Sequence, residues 1–211
     1  MSELWIYGGA FLVSVLGIGL FRLAAHELEE PLQRVVCVLM VLCNLALTMV
    51  WKVLYGLPPM QILKYLALAA VLCVCAWTDW KKYLILNRVL ALALTARAVL
   101  FAAELLLYGM EQWKFVALSA LIAAGMFAVA GLLCKAVMPQ GVGFGDIKLL
   151  FTLGLYTGAD PGISIMFCTL LVMFVVSVIL LLARKVTRKS VIPFAPFLYG
   201  GMLLASFLFG M

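Results

Sequence analysis

Charge is scarce in this chain: Asp, Glu, Lys and Arg make up only 11% of its 211 residues, against about 25% in soluble domains. That shortage excludes an ordinary water-soluble domain. The 67% hydrophobic content and mean hydropathy of +1.22 point instead to an all-α integral membrane protein. Histidine is scarcer still. The one histidine, His26, lies in an acidic loop with no serine or cysteine nucleophile beside it, which argues against a Ser–His or Cys–His hydrolase. The six cysteines, Cys37, Cys43, Cys73, Cys75, Cys134 and Cys168, lie inside or at the ends of apolar runs and read as small hydrophobes. Cys73-x-Cys75 lacks the two-residue gap of a zinc knuckle, so neither a metal nor another cofactor is expected. The short alternating segments of a membrane β-barrel are missing. So are internal repeats and low-complexity linkers, and residues 1–211 are expected to form one membrane-embedded domain. The first 25 residues lack a basic n-region and carry too long an apolar run for a cleaved signal, so they read as a retained helix.

Apolar runs fall at 4–24, 36–54, 60–78, 88–108, 114–137, 147–158, 162–183 and 193–210, which predicts a polytopic bundle of about eight transmembrane helices. The 147–158 run is the weakest, about 18 Å long against a hydrocarbon core of about 30 Å. In the turn after it, Asp160-Pro161 fits an N-cap followed by proline at the first helical position. Basic residues concentrate in the 26–34, 79–88, 135–146 and 184–190 loops, while only Lys52, Lys64 and Lys114 fall on the other side. By the positive-inside rule those four loops are cytoplasmic. The net charge of +6 is therefore a topology signal, and with no continuous basic groove no nucleic-acid partner is expected. Within the fourth run Arg97 and Glu104 share a helical face, as partners in an ion pair or as the lining of a polar cavity.

The chemistry concentrates in Gly141-Val142-Gly143-Phe144-Gly145-Asp146-Ile147-Lys148. Three glycines in five residues let the backbone bend sharply and approach another group closely. Asp146 then stands in the first turn of a helix, where unpaired N–H groups and the macrodipole favour its ionised form. Lys148, two residues on, points to a different face, where it either supports that carboxylate across a turn or snorkels to lipid phosphate. A second carboxylate, Asp79 in Trp77-Thr78-Asp79-Trp80-Lys81-Lys82, falls at the same membrane face. Two such acids can activate a water, one ionised to take its proton and the other protonated to donate to the substrate. Asp79 follows the C-terminal end of its helix and is expected to be the more readily protonated partner.

These residues carry a resemblance. Gly143-Phe144-Gly145-Asp146 resembles the Gly-x-Gly-Asp signature of the type IV prepilin peptidases, membrane aspartyl proteases. Asp79, with basic residues and then Ile85-Leu86-Asn87 after it, is similar to their first catalytic segment, which closes on Ile-Pro-Asn. Pro193-Phe194-Ala195-Pro196-Phe197 is similar to the segment opening their last helix. The resemblance implies an aspartic endopeptidase of the inner membrane, its site facing the cytoplasm, that cuts the basic leader from type IV pilin-like precursors of pilus or secretion systems. Asp79 and Asp146 would be catalytic, with Gly141, Gly143, Phe144, Gly145, Lys148, Asn87, Pro193 and Pro196 lining the substrate. The glycine loop would offer free N–H groups, and the prolines exposed carbonyls, to an extended peptide. The acidic run Glu27, Glu29 and Glu30 would attract a lysine-rich leader, or else is a plain solvated loop.

Two departures stand out. Leu86 replaces the family's proline, and the Cys-x-x-Cys insertion of its long bacterial members is missing, which puts N-methylation of the product in doubt. Presenilin-like proteases share Gly-x-Gly-Asp, but their first aspartate follows tyrosine where Thr78 stands here. The alternative from another class is a proton- or cation-coupled transporter using the same two acids, disfavoured because both sit at helix ends with no pattern of broken, inverted repeats.

Overall fold

The computed structural model describes residues 2–24, 30–139, 141–183 and 192–210, without the side chains of 2–7, 23, 24 and 30–33. His26, Glu27, Glu29 and the basic residues at 184–189 lie outside the described residues, as does the Glu30 side chain, so the leader-attracting role of that acidic run has no structural account. Among the described residues seven helices follow one another: α1 (Ser2–Ala24), α2 (Glu30–Met49), α3 (Pro59–Lys82), α4 (Asn87–Val137), α5 (Phe144–Thr157), α6 (Ala159–Leu182) and α7 (Ala195–Phe209). A π-helical turn, Val50–Leu54, continues α2, and the described residues contain no strand.

Among the described residues four helices are long and apolar enough to cross a membrane: Arg34–Leu54, Pro59–Lys82, Asn87–Val137 and Ala159–Leu182. The expected count of about eight is not reached on that measure, for two physical reasons. The runs at 88–108 and 114–137 follow each other in α4 with no loop between them, and the helix breaks at Gly109 (φ 75°, ψ 169°), in the gap that separates the two runs and in a conformation that a side chain would not tolerate. Other helices are short: Ala195–Phe209 falls below spanning length, and the 14 residues of α5 reach about 21 Å at 1.5 Å each. The bend is a reversal of the chain. Trp113 Nε1 donates to the Phe101 carbonyl at 2.9 Å with the two rings edge to face, although twelve residues of straight helix would hold them about 18 Å apart.

Small residues set how closely the helices approach. A Cβ on Gly154 of α5 would lie 2.5 Å from the Ala124 nitrogen of α4, and one on Gly201 of α7 would lie 2.6 Å from the Thr169 Cα of α6. Such close backbone crossings are how membrane helices gain packing where lipid removes the hydrophobic drive. Buried hydroxyls return their protons to their own helix: Ser14 to the Ala10 carbonyl, Thr48 to Asn44, Thr157 to Leu153 and Ser206 to Met202, each at 2.9 Å or less. The outward faces carry exposed Phe11, Val99, Leu106, Phe115, Phe174 and Leu182.

One smaller expectation changes, and the ion-pair reading of Arg97 and Glu104 is met. Gly158 caps α6 with φ 76°, and Asp160 lies exposed in the first turn without a capping hydrogen bond, so the turn is made by a glycine that tolerates positive φ. Glu104 is only 2% exposed and bonds Arg97 Nη1 at 3.0 Å, with Lys64 Nζ 3.6 Å from its other oxygen.

Candidate active site

The end of α3, the α3–α4 turn and the starts of α5 and α7 meet at one end of the bundle. Asp79 lies in the last turn of α3, which runs on to Lys82, rather than beyond the helix. Tyr83 ends that helix in the left-handed region (φ 52°), its N–H donating to the Asp79 carbonyl at 2.9 Å. The Asp79 side chain is 6% exposed, and its Oδ2 accepts the Ala195 N–H at 2.9 Å. Ala195 is the first residue of α7, so this donor is one of the four that a helix start leaves without an intrahelical partner. Pro196 follows in the first turn, where its missing N–H costs nothing. The proline segment thus aims a backbone donor at a carboxylate. It does not leave the Phe194 carbonyl exposed, since that oxygen accepts the N–H groups of Phe197 and Leu198. Pro193, just before, is half-buried.

Asp146 occupies the first turn of α5, which begins at Phe144, and its Oδ2 accepts the Gly143 N–H at 2.9 Å. The Gly141 N–H goes to the Met138 carbonyl at 3.0 Å. Two of the three glycine donors expected to be free are therefore taken. None of Gly141, Gly143 and Gly145 has positive φ. What Gly145 provides is close approach: a Cβ there would sit 3.1 Å from the Ile85 Cβ in the α3–α4 turn. Lys148, with its side chain reaching across that junction, donates to Asn87 Oδ1 at 2.9 Å and ties the start of α5 to the start of α4. It braces the site rather than reaching for lipid. Lys135, weighed in the sequence only as a topology charge, donates to the Val142 carbonyl at 2.8 Å and lies 4.4 Å over the Phe144 ring. The spacing carried no sign of that role, because nothing in an apolar helix end says which way a lysine turns.

The two acids feel each other. Burial pushes the Asp146 carboxyl above its ordinary 3.8, the Gly143 N–H pulls it down, the charge of Asp79 pushes it up again and Lys135 lowers it. Desolvation thus works against the ionised form that the helix start was expected to favour at Asp146. Apolar grooves flank the pair. One of about 370 Å³ runs beside Asp79 between Phe21, Val36, Trp77, Trp80 and Pro196, and one of about 450 Å³ runs beside Asp146 between Asn87, Leu94, Ile147, Lys148 and Phe151. Among the described residues no cluster of three His, Cys, Asp or Glu side chains stands ready to hold a metal.

Fold and site together define a helical membrane protein with two interacting carboxyls gathered at one end. The type IV leader peptidase family matches residues 66–183, more than half of the chain, and the chain belongs to that family. The match contains Asp79, Asn87, the glycine loop, Asp146 and Lys148, and ends before Pro193 and Pro196. The chain is also 30% identical over 141 residues to the prepilin leader peptidase/N-methyltransferase of Bacillus subtilis (strain 168), an alignment covering 67% of this chain and 53% of the relative. It thus spans about half the length of that curated relative. No solved structure matches the chain.

Proposed function

We propose that this protein is a prepilin leader peptidase: an aspartic endopeptidase that removes the basic leader from type IV pilin-like precursors at the cytoplasmic face of the inner membrane. The observation that carries this reading is that the Lys148–Asn87 hydrogen bond and the close approach of Gly145 to Ile85 join the turn that follows Asp79 to the helix start that holds Asp146, 67 positions further along the chain. In the mechanism, a water held by the pair attacks the scissile carbonyl. One carboxylate takes the water's proton while the other, protonated, donates to the carbonyl oxygen, and the resulting diol collapses as a proton passes to the leaving amide nitrogen. Two close carboxyls share one proton readily, because ionising the second costs more than the first. Burial of Asp146 favours the same singly protonated state. The Ala195 and Gly143 N–H groups fix one oxygen of each acid and leave the other for water and substrate.

Phe144, 64% exposed in the loop, and the two apolar grooves suit a precursor whose cleavage point borders a hydrophobic helix. The cytoplasmic orientation rests on the basic loops, and leader cleavage alone is assigned: the segment that distinguishes long, two-activity members is missing here. Co-expression with an epitope-tagged prepilin tests the proposal. Wild type should yield the shortened product, and Asp79→Asn and Asp146→Asn should each abolish it while inserting normally. Persistence of processing in either variant would overturn the two-acid mechanism, and an uncut precursor with wild type, alongside proton or cation flux, would favour a transporter.

A further inference from the structure

Arg97 is the one fully buried cation of α4, and its bonding is incomplete. Its Nε donates to the Leu155 carbonyl at 2.7 Å and its Nη1 to Glu104 at 3.0 Å, while Nη2 is buried with no hydrogen-bond partner. Both oxygens of Glu104 are already engaged, one by Arg97 and one by Lys64. Two cations thus share one carboxylate, and a positive charge is left over. That surplus faces a recess of about 320 Å³ lined by Gln61, Lys64, Arg97, Ser119 and Thr157, with the Gly158 turn closing one side. The nearest other acid, Asp160, is exposed and does not line it. The recess lies at the end of α5 remote from Asp146, where that helix stops about 9 Å short of a full hydrocarbon thickness.

We infer that this recess binds a phosphate group. Lys64, the Gln61 amide and the Ser119 hydroxyl supply donors of the kind a phosphate oxygen accepts, with the Arg97 guanidinium adding positive charge to the wall. An anion there removes the surplus charge that a low-dielectric site tolerates poorly. The group comes either from a phospholipid headgroup drawn down from the adjoining leaflet or from free phosphate. The assignment is independent of the peptidase reading, since none of these residues touches Asp79 or Asp146.

Native mass spectrometry of the full chain released from phosphatidylglycerol nanodiscs tests it. Wild type should retain a phospholipid, and Lys64→Met should lower the retained fraction about thirtyfold, the low end of the scale for removing one partner of a buried charge. Ser119→Asp, which sets a negative charge on an exposed wall and does not touch the Arg97–Glu104 pair, should do the same with an unchanged melting temperature. Displacement of the lipid by inorganic phosphate would identify free phosphate as a sufficient ligand, and retention against it would identify the headgroup. Equal lipid retention in wild type and both variants, with no phosphate-induced rise in melting temperature, overturns the inference. Leader cleavage in Ser119→Asp should stay at the wild-type rate.

Discussion

Gly145→Ala should slow catalysis with little effect on stability. The added Cβ would stand 3.1 Å from the Ile85 Cβ, inside the ordinary contact range that begins at 3.4 Å, with two more Ile85 atoms at 3.5 Å. Either Ile85 or the first turn of α5 must yield by about a third of an ångström. Because a misplacement of about 1 Å costs about a hundredfold in rate, a displacement of that size scales to about fivefold in kcat. On stability two effects oppose each other. Alanine in place of glycine gains up to about 1 kcal/mol in a helix, and overpacking costs about 1–3 kcal/mol, with a single methyl at the low end. The melting temperature should therefore move little. The assay is the initial rate of cleavage of a detergent-solubilised precursor, followed by mass spectrometry of the released leader, beside a melting curve for each variant. Ile85→Ala in the same chain makes room for the new methyl and should restore most of the lost rate, a coupling of about 0.5–3 kcal/mol between neighbours. Full activity in Gly145→Ala, or a loss that Ile85→Ala fails to relieve, would refute the argument that this close approach sets the position of Asp146.

Asp146→Asn should raise the melting temperature at neutral pH. A carboxyl whose folded pKa is raised above 3.8 contributes stability that is complete below 3.8 and is lost as pH rises through the folded value, so the gain should vanish in acid; a lower melting temperature at neutral pH would show that the Gly143 hydrogen bond outweighs burial. Leu86→Pro should be tolerated and add about 0.4–1 kcal/mol, because Leu86 already holds φ −71° and ψ 118° at the cap of α4; a destabilised variant would mean that Ile85 cannot take the extended conformation proline requires of its predecessor. Gly154→Val should lower stability by about 3 kcal/mol or more, since its Cβ meets the backbone of Ala123 and Ala124 rather than a movable side chain; thermal unfolding in detergent reads the loss directly.

Membrane residence and the helical class were legible in composition, because burying backbone polar groups in lipid leaves a chain this apolar few alternatives to helices. Helix ends were read less well. The break at Gly109 fell in the gap between the 88–108 and 114–137 runs, but the conformation that makes it a reversal was not legible, because φ is not written in the sequence. The two aspartates were legible as a pair through their motifs, whereas the parts that hold them were not: the Ala195 N–H on Asp79, Ile85 against Gly145, Lys148 on Asn87 and Lys135 on the glycine loop. Each of those contacts joins segments that sequence spacing cannot relate. Local patterns thus singled out the two acids and the glycine loop as candidates, since residue type and helix position are written along the chain. The upward push on the Asp146 carboxyl was decided by tertiary structure, because desolvation depends on what packs around a carboxyl and no helix position in the sequence records it.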